Sequence, residues 1–181
     1  MVGDTRVGKT CVLEKLTSGI FKESSPPTIG AAFKSHILET KEGCVSLQIW
    51  DTAGQEKYRA LTQMYYRSAN VALLFFDLTN RDSFNALELW CGELSRKAPE
   101  KIKTVLVGNK LDLIEERVVS KDDAEKFANE HNIFFYAETS AKTGEGITDL
   151  FVRIAENIIC DEMPTQSLDL DSDNSPSNNC C

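Results

Sequence analysis

Short apolar runs recur along the first 160 residues of the chain. Two of them, Val71–Asp77 and Thr104–Gly108, are almost wholly apolar, and Ile133–Ala137 is a third. Such runs are expected of parallel strands that helices cover on both faces. Residues 32–40 and 44–50 instead alternate apolar and polar positions on either side of a Lys-Glu-Gly turn. That alternation predicts a two-stranded antiparallel hairpin.

Helical patterns separate these strands. We predict helices over Thr10–Leu16, Ser83–Arg96, Ser120–His131 and Ile147–Cys160. Residues 21–30 contain two successive prolines and predict an irregular connection. The alternation of strands and helices indicates an α/β fold with a mainly parallel sheet.

The composition changes after residue 160. Residues 161–181 are rich in Ser, Asn, Asp and Pro, so this tail is predicted to be disordered. A formal net charge of −8 argues against a nucleic-acid surface, which needs clustered Lys and Arg. No apolar run approaches the roughly 20 residues that span a bilayer, and no secretory signal is recognised.

The six cysteines fall into two groups. Four are isolated, show no metal-ligand spacing and are predicted to be small buried hydrophobic residues in a reducing compartment: Cys11, Cys44, Cys91 and Cys160. Cys180 and Cys181 instead end the polar tail as a pair.

The segment Gly3–Thr10 has the pattern GxxxxGK[ST] of a phosphate-binding loop. Its glycines let backbone N–H groups surround phosphate oxygens at the start of a helix. Lys9 is placed to contact the β- and γ-phosphates, and the Thr10 hydroxyl to ligate Mg²⁺. The predicted contacts are Gly3, Asp4, Thr5, Arg6, Val7, Gly8, Lys9 and Thr10, with Cys11 next to them.

Residues 50–56, in one-letter code WDTAGQE, directly follow the second hairpin strand. Asp51 is placed to support the metal, and Gly54 leaves its N–H free to approach a γ-phosphate. Gln55 is placed to orient an attacking water, since phosphoryl transfer depends on positioning and charge stabilisation. Gln55 and Lys9 are therefore the predicted catalytic residues. Alone, this segment is equally compatible with a solvated turn.

A base-recognition signal follows the next apolar strand. Asp112, in the run Asn109-Lys110-Leu111-Asp112, offers a bidentate acceptor to the N1–H and N2–H₂ donors of guanine, which adenine lacks. A mismatched base would leave a buried carboxylate unpaired. Ser140, Ala141 and Lys142 follow another strand, where backbone N–H groups meet the guanine O6. Alone, the first run is compatible with an ordinary loop, and a P-loop ATPase or kinase is disfavoured by Asp112.

In this order the motifs resemble a Ras-superfamily small GTPase, and more narrowly a Rab GTPase. The resemblance covers residues 1 to about 160 and the two terminal cysteines. IGAAF at 29–33, QEKY at 55–58 and MYYRSA at 64–69 are the Rab-like segments, and IGAAF together with MYYR is similar to the early-endosomal branch. The resemblance implies a three-layer α/β sandwich with a mainly parallel sheet and one antiparallel hairpin strand. GTP or GDP with Mg²⁺ is the implied ligand.

The resemblance also implies roles for individual residues. Thr28 is expected to ligate Mg²⁺ and sense the γ-phosphate, and Phe21 to pack against the guanine. Phe33, Trp50 and Tyr65 match the aromatic triad that Rab effectors contact, although simple hairpin packing is also compatible with them. The implied partners are an exchange factor, a GTPase-activating protein, a GDP-dissociation inhibitor, prenylation machinery and effectors.

The terminal Cys180-Cys181 pair resembles the Rab terminus that carries a geranylgeranyl group on each thiol. Two lipid chains anchor a protein stably, whereas one is marginal. The alternative is a pair of unmodified thiols. The implied location is the cytoplasmic face of intracellular membranes, endosomal ones above all, with exchange into the cytosol.

Three features depart from the family pattern. Thr5 and Arg6 replace the usual small residues, and Thr5 is expected to crowd Gln55 and slow hydrolysis. Pro26 stands where an arginine supplied in cis would be, so weak turnover with help from an activating protein is expected. Met1-Val2 matches only the end of the first strand, so that strand is expected to be largely absent and the domain at 1–160 to be truncated upstream. The alternatives are a nucleotide-binding module with little hydrolysis and a non-binding fragment.

Overall fold

The structure, a computed structural model, describes residues 1–23, 26–41, 43–54, 65–66, 68–99 and 101–162. Within these residues the elements follow in the order β1 (Val2–Gly3), α1 (Lys9–Ser18), β2 (Ala31–Thr40), β3 (Gly43–Thr52), β4 (Val71–Asp77), α2 (Arg81–Asn85), α3 (Leu87–Lys97), β5 (Lys103–Asn109), a 3-10 turn (Ile114–Glu116), α4 (Lys121–Glu130), β6 (Phe135–Thr139) and α5 (Ile147–Glu162).

The described strands form a four-stranded parallel sheet and a separate hairpin. The sheet has the order β1-β4-β5-β6, and the hairpin pairs β2 with β3 in antiparallel register. The Met1 carbonyl joins the two parts, because it accepts hydrogen bonds from the Thr52 backbone N–H (3.4 Å) and from the Thr52 hydroxyl (2.9 Å). A mainly parallel α/β sheet with one antiparallel hairpin was predicted and is confirmed.

The core lies on both faces of the sheet, which explains the apolar runs. Successive residues of β4 alternate between two clusters: Leu73 and Phe75 pack with α1 and α5, while Leu74 and Phe76 pack with α3 and α4. Because both faces are covered, neither face of such a strand carries polar residues. The parallel strands then end at one common edge of the sheet, where ligand sites form in open α/β sheets.

Two predicted elements were wrong in their bounds. The helix over Ser83–Arg96 is divided into α2 and α3 at Ala86, and α2 begins earlier because the Asn80 side chain accepts from the backbone N–H groups of residues 82 and 83. The strand predicted to start at Ile133 starts at Phe135, since the Ile133 N–H bonds back to the Ala128 carbonyl of α4.

The prediction of buried cysteines was wrong for Cys44, which lies exposed beside the hairpin turn. Cys11 and Cys91 are half-buried and not disulfide-bonded. The Cys160 side chain and the predicted tail from residue 163 onward lie outside the described residues. Among the helices that the structure describes, none is long and apolar enough to cross a membrane.

Candidate functional site

A cleft of about 600 Å³ opens at the carboxyl edge of the parallel strands. Five of the predicted segments contribute to it: the phosphate loop, the connection before β2, the end of β3, the loop after β5 and the loop after β6. The predicted site residues that line it are Thr5, Arg6, Gly8, Lys9, Thr10, Cys11, Phe21, Thr28, Gly54, Asn109, Lys110, Asp112, Ala141 and Lys142. The structure therefore brings most of the predicted set into one cavity.

The phosphate loop owes its shape to three backbone positions with positive φ. Gly3 has a φ of 135°, Arg6 of 64° and Gly8 of 95°, and Gly8 caps the N-terminus of α1. Successive peptide groups in such a loop form a concave anion-binding nest. A Cβ at Gly8 would collide with the Asn109 amide, so glycine is also required by space. The N-terminus of α1 thus opens into the cleft and favours negative charge there.

Lys9 is buried beneath the loop. Its ammonium group donates to the carbonyls of Gly3 and Asp4, both at 2.8 Å. Burial lowers the pKa of Lys9 to about 8, although the charges of Asp51 and Asp4 act in the opposite direction. An ammonium group has three donors, and the described residues accept two hydrogen bonds from it. A bound phosphate would supply an anionic partner for this buried cation, which forms no ion pair with the described residues.

Three oxygen-bearing side chains converge beside Lys9. Thr10 Oγ1 donates to Asp51 Oδ2 at 2.6 Å and lies 2.8 Å from Thr28 Oγ1. Thr28 Oγ1 is 3.5 Å from the same carboxylate oxygen. Asp51 is fully buried, and its other oxygen, Oδ1, has no hydrogen-bond partner among the described residues.

This oxygen cluster fits Mg²⁺. Mg²⁺ prefers oxygen ligands and binds through few protein groups together with substrate phosphates and water. The unpartnered Asp51 oxygen is the kind of buried acceptor that a metal or its water ligands would satisfy. In the described part of the chain, no group of three or more His, Cys, Asp or Glu side chains is placed to hold a metal, so hydroxyls must supplement Asp51.

Gly54 places the end of β3 directly against the phosphate loop. A Cβ at this position would lie 2.5 Å from the Asp4 carbonyl oxygen and 2.5 Å from the Thr5 nitrogen. Glycine is therefore required for the close approach. Gln55, the predicted water-orienting residue, lies outside the described residues.

At the other end of the cleft, Asp112 is held by the loop after β6. Its Oδ1 accepts a 2.6 Å hydrogen bond from the hydroxyl of buried Ser140, and the Ser140 hydroxyl accepts from the Thr143 backbone N–H at 3.1 Å. Each carboxylate oxygen can accept more than one hydrogen bond, so Asp112 can still accept from two donors of a base in the cleft. The two loops that were predicted to bind the base are thereby joined by a specific contact.

Asn109 links the phosphate loop to the base loops. Its side-chain amide donates to the Val7 carbonyl at 2.9 Å, and its Oδ1 accepts from the Thr139 hydroxyl (3.2 Å) and the Ala141 backbone N–H (3.3 Å). Asn109 is 1% exposed. Sequence reasoning placed Asn109 and Val7 at the ligand, and the structure adds that Asn109 connects three loops. The Ala141 N–H, one of the groups predicted to meet the guanine O6, donates to Asn109 in this structure.

Asp77 is a site residue that sequence reasoning missed. It ends β4, is buried, and forms a 2.6 Å ion pair with Lys110, whose backbone is left-handed with a φ of 70°. The Thr79 N–H and hydroxyl also donate to Asp77, at 2.9 Å and 2.7 Å. The sequence feature that could have identified Asp77 is a carboxylate at the end of an otherwise apolar strand. Asp51 has a similar position, one residue before the end of β3.

The three predicted effector residues form one aromatic surface outside the cleft. Phe33 and Trp50 face each other across the hairpin with ring centroids 5.0 Å apart, and Tyr65 packs on Trp50 at 4.5 Å. Phe33 is 48% exposed and Trp50 38% exposed. Phe21, in contrast, is half-buried, lines the cleft and packs against the core beneath α1. Cys180 and Cys181 lie outside the described residues.

Comparison with known proteins gives a consistent result. The model of the Ras family matches residues 1–160. Ras-related protein Rab-30 of Homo sapiens is 44% identical over 88% of this chain and 78% of its own length. GTP-binding protein ypt5 of Schizosaccharomyces pombe is 44% identical over 92% of this chain and 80% of its own length. Ras-related protein Rab-19 of Mus musculus is 42% identical, with coverages of 88% and 73%.

Proposed function

This chain belongs to the Ras family, within it to the Rab small GTPases, and on that premise we propose that it is a guanine-nucleotide switch of membrane trafficking. One observation carries the proposal. A single cleft has a buried lysine and an oxygen cluster at the phosphate loop, and a carboxylate held by Ser140 at its far end. That pairing suits a ligand with phosphates at one end and a hydrogen-bond-donating base at the other.

At the phosphate end, the loop and Lys9 bind the β- and γ-phosphates through the nest, the helix N-terminus and the buried ammonium group. Thr10 and Thr28 supply hydroxyl ligands for Mg²⁺, and Asp51 orients them from behind. Mg²⁺ bound there would neutralise charge that develops on the phosphate oxygens. These residues act mainly by position, as phosphoryl transfer requires.

At the base end, Asp112 accepts from the N1–H and N2–H₂ groups of guanine, while Ser140 fixes the direction of the carboxylate. Adenine offers no donors at these positions and would leave the carboxylate unpaired. Phe21 contacts one face of the base, and Lys110 and Lys142 line the cleft around it.

The switch rests on Thr28 and Gln55. Thr28 belongs to the connection between α1 and β2, and its hydroxyl contacts Thr10 at 2.8 Å. The γ-phosphate of GTP would order this connection and the segment that begins with Gln55, and hydrolysis would release both. Gln55 orients the attacking water. Because Pro26 supplies no charge, an activating protein contributes the transition-state charges.

A phosphate-release assay on GTP-loaded protein tests the proposed activity. Wild type should release phosphate slowly, and Gln55→Leu should abolish release while GTP remains bound, because the water is no longer oriented. Glu125→Gln, on the exposed face of α4, is the control and should behave as wild type. Equal release by Gln55→Leu and wild type would contradict the assignment of Gln55.

Effector recruitment is assigned to the aromatic surface of Phe33, Trp50 and Tyr65. Exposed aromatic clusters of this kind are enriched at protein interfaces. β3 connects this surface to the cleft, since Trp50 immediately precedes Asp51. A structural change in the cleft when GTP replaces GDP can therefore be transmitted to the aromatic surface through β3 alone.

Membrane attachment is assigned to geranylgeranyl groups on Cys180 and Cys181, added by prenylation machinery. A GDP-dissociation inhibitor would extract the lipidated GDP form, and an exchange factor would reload it at an endosomal membrane. Tail residues 163–181 contain no Lys or Arg, so anionic headgroups would not strengthen the attachment. Mass spectrometry of the protein from cells should show two added lipids, and removal of either cysteine should reduce membrane partitioning.

A second candidate is a nucleotide-binding module with little hydrolysis. Thr5 favours it, because this residue lines the cleft where Gly54 contacts the loop. The same phosphate-release assay separates the two: binding without measurable release would favour the module.

A further inference from the structure

A partly buried ion-pair cluster lies beside the base end of the cleft, outside the residues assigned above. Arg117 and Glu138 form a bidentate pair: Nη1 donates to Oε2 at 3.0 Å and Nη2 to Oε1 at 2.5 Å. The Tyr136 hydroxyl donates to the same Oε1 at 2.7 Å. Bidentate Arg–carboxylate pairs combine strength with a fixed geometry.

The cluster is charged at all physiological pH values. Burial pushes the pKa of Glu138 upward, but the hydrogen bonds from Arg117 and Tyr136 outweigh it and leave the pKa below its ordinary value. The hydrogen bond to Glu138 raises the pKa of Arg117 further. Because neither partner titrates, the pair acts as a permanent connection between the segments that carry it.

Those segments are the two loops that bind the base. Arg117 directly follows the 3-10 turn in the loop that contains Asp112, and Glu138 in β6 immediately precedes Thr139 and Ser140. Near the base the loops are joined by the Asp112–Ser140 bond and by Leu111 N–H donating to the Thr139 carbonyl at 3.0 Å. The Arg117–Glu138 pair is a third connection between these segments.

Both sides of the cluster rest on the parallel sheet. Arg117 Nε donates to the Val119 carbonyl at 2.7 Å, and the Val118 and Val119 N–H groups bond to the Leu78 carbonyl beyond β4. The Tyr136 hydroxyl would lie 2.9 Å from a Cβ at Gly108, the residue before Asn109. The cluster thus holds the Asp112 loop against the same strand end that supports the Asn109 linkage.

We propose that Arg117, Glu138 and Tyr136 are positioning residues for guanine recognition, which fix Asp112 relative to Ser140. Two oxygens of one carboxylate must face two adjacent donors of the base, so a small rotation of the loop removes at least one of the two hydrogen bonds. The cluster therefore sets both the residence time of the guanine nucleotide and its preference over related bases. This inference rests on the proposed function of the cleft.

The test measures dissociation of GDP and of inosine diphosphate from the full chain. Inosine diphosphate keeps the N1–H donor but lacks the 2-amino group, so it depends less on the orientation of Asp112. Glu138→Gln keeps the shape and removes the charge. We expect it to speed GDP release about tenfold and inosine diphosphate release less, because hydrogen bonds to charged groups are the stronger ones.

Two further variants grade the effect. Arg117→Lys keeps the positive charge but loses the bidentate contact that the guanidinium makes with Glu138. It should lower the preference for GDP over inosine diphosphate less than Glu138→Gln does. Tyr136→Phe removes one hydroxyl and should act in the same direction. Glu125→Gln breaks the exposed Lys121–Glu125 pair on neighbouring α4 and should leave both rates unchanged.

The outcomes separate this inference from the function on which it rests. Wild type without preference for GDP over ADP would overturn both. A guanine-selective wild type whose GDP-to-inosine-diphosphate ratio survives Glu138→Gln, even with a lower melting temperature, would overturn only the positioning role. If Glu138→Gln does not fold, Arg117→Lys and Tyr136→Phe decide: a lowered ratio supports the role and an unchanged ratio overturns it.

Discussion

The hydroxyl of Thr10 donates a 2.6 Å hydrogen bond to Asp51, and this contact joins the first turn of α1 to the end of β3. Thr28, from the connection between α1 and β2, lies within hydrogen-bond distance of Thr10 as well. Three segments that are distant in sequence therefore meet at a few oxygen atoms. A ligand that binds these oxygens acts on all three segments at once, which is the physical basis of the proposed switch.

Removal of the Thr10 hydroxyl should uncouple nucleotide retention from Mg²⁺. In wild type, chelation of Mg²⁺ should speed GDP release, since the cation connects the protein to the phosphates. In Thr10→Ala, release should already be at least about tenfold faster and respond little to chelation. Thr10→Ser keeps the hydroxyl and is the matched control. A Thr10→Ala protein that still releases GDP slowly, and faster with chelator, would remove Thr10 from the metal site.

Asp112→Asn should change the base preference from guanine to xanthine. The Asn amide can donate to the C2 carbonyl that xanthine carries in place of the 2-amino group of guanine, and its oxygen can still accept from Ser140. GDP affinity should fall about a hundredfold, because the base donors lose a charged acceptor, while xanthosine diphosphate should bind more tightly.

The comparison for Asp112→Asn is Asp122→Asn, an exposed position on α4. It should bind the two nucleotides as wild type does. Displacement of a fluorescent nucleotide measures both affinities. If Asp112→Asn kept the wild-type order of GDP and xanthosine diphosphate, Asp112 would not be the base-recognising residue.

Thr5→Gly should speed single-turnover GTP cleavage by about three- to tenfold. Gly54, the residue before Gln55, lies against the loop at the Thr5 nitrogen, and the Thr5 side chain lines the same part of the cleft. Loss of correct positioning of this order costs about 1 kcal/mol in the barrier, which corresponds to this rate range. Rapid-quench measurement of GTP cleavage is the assay.

Glu125→Gln, on the exposed face of α4, is the control for Thr5→Gly. It lies outside the cleft and should leave the cleavage rate unchanged. Cleavage by Thr5→Gly that is no faster than wild type would mean that Thr5 does not crowd the reaction.

Nucleotide binding should be coupled to proton uptake by Lys9. In the ligand-free protein, burial lowers its pKa from 10.5 to about 8. A phosphate beside the ammonium group would raise this pKa again, so above pH 8 the bound state holds more protons than the free state. GDP affinity should then be nearly constant below pH 7.5 and fall as the pH rises through 8.

The lowered pKa of Lys9 also predicts how the stability of the ligand-free protein changes with pH. A lowered folded-state pKa means that the charged lysine disfavours the ligand-free fold below pH 8, and that this cost disappears as the pH rises toward 10.5. The proton uptake by Lys9 on nucleotide binding, described above, can be measured directly. The experiment is a calorimetric titration of GDP at pH 8.5 in two buffers with different ionisation enthalpies. An equal heat in both buffers would show that Lys9 does not change its protonation on binding.

Sequence patterns predicted the fold wherever one dominant force acts locally. The bounds of β4 agree residue by residue because an apolar run ends at a carboxylate, and β2 and β3 agree to within two residues because their alternation is strict. The phosphate loop was predicted because glycines are needed at fixed positions, of which Gly8 is an example.

Two of the missed features depend on partners that are distant in the chain, and two others are local. Asp77 pairs with Lys110, and Arg117 with Glu138, and no periodicity marks such pairs of charged residues. The break at Ala86 escaped prediction because its residues favour helix on both sides. Cys44 was expected to be buried from its residue type, but the hairpin turn places it in solvent.

Selection of guanine nucleotides by this cleft can be measured in a single displacement experiment. Nucleotide-free chain is loaded with a fluorescent GDP analogue in the presence of Mg²⁺ and titrated with GTP or ATP. GTP should displace the analogue at concentrations at least about a thousandfold lower than ATP does, because ATP leaves Asp112 unpaired. Displacement by both at similar concentrations, or failure of the analogue to bind, would contradict this selection.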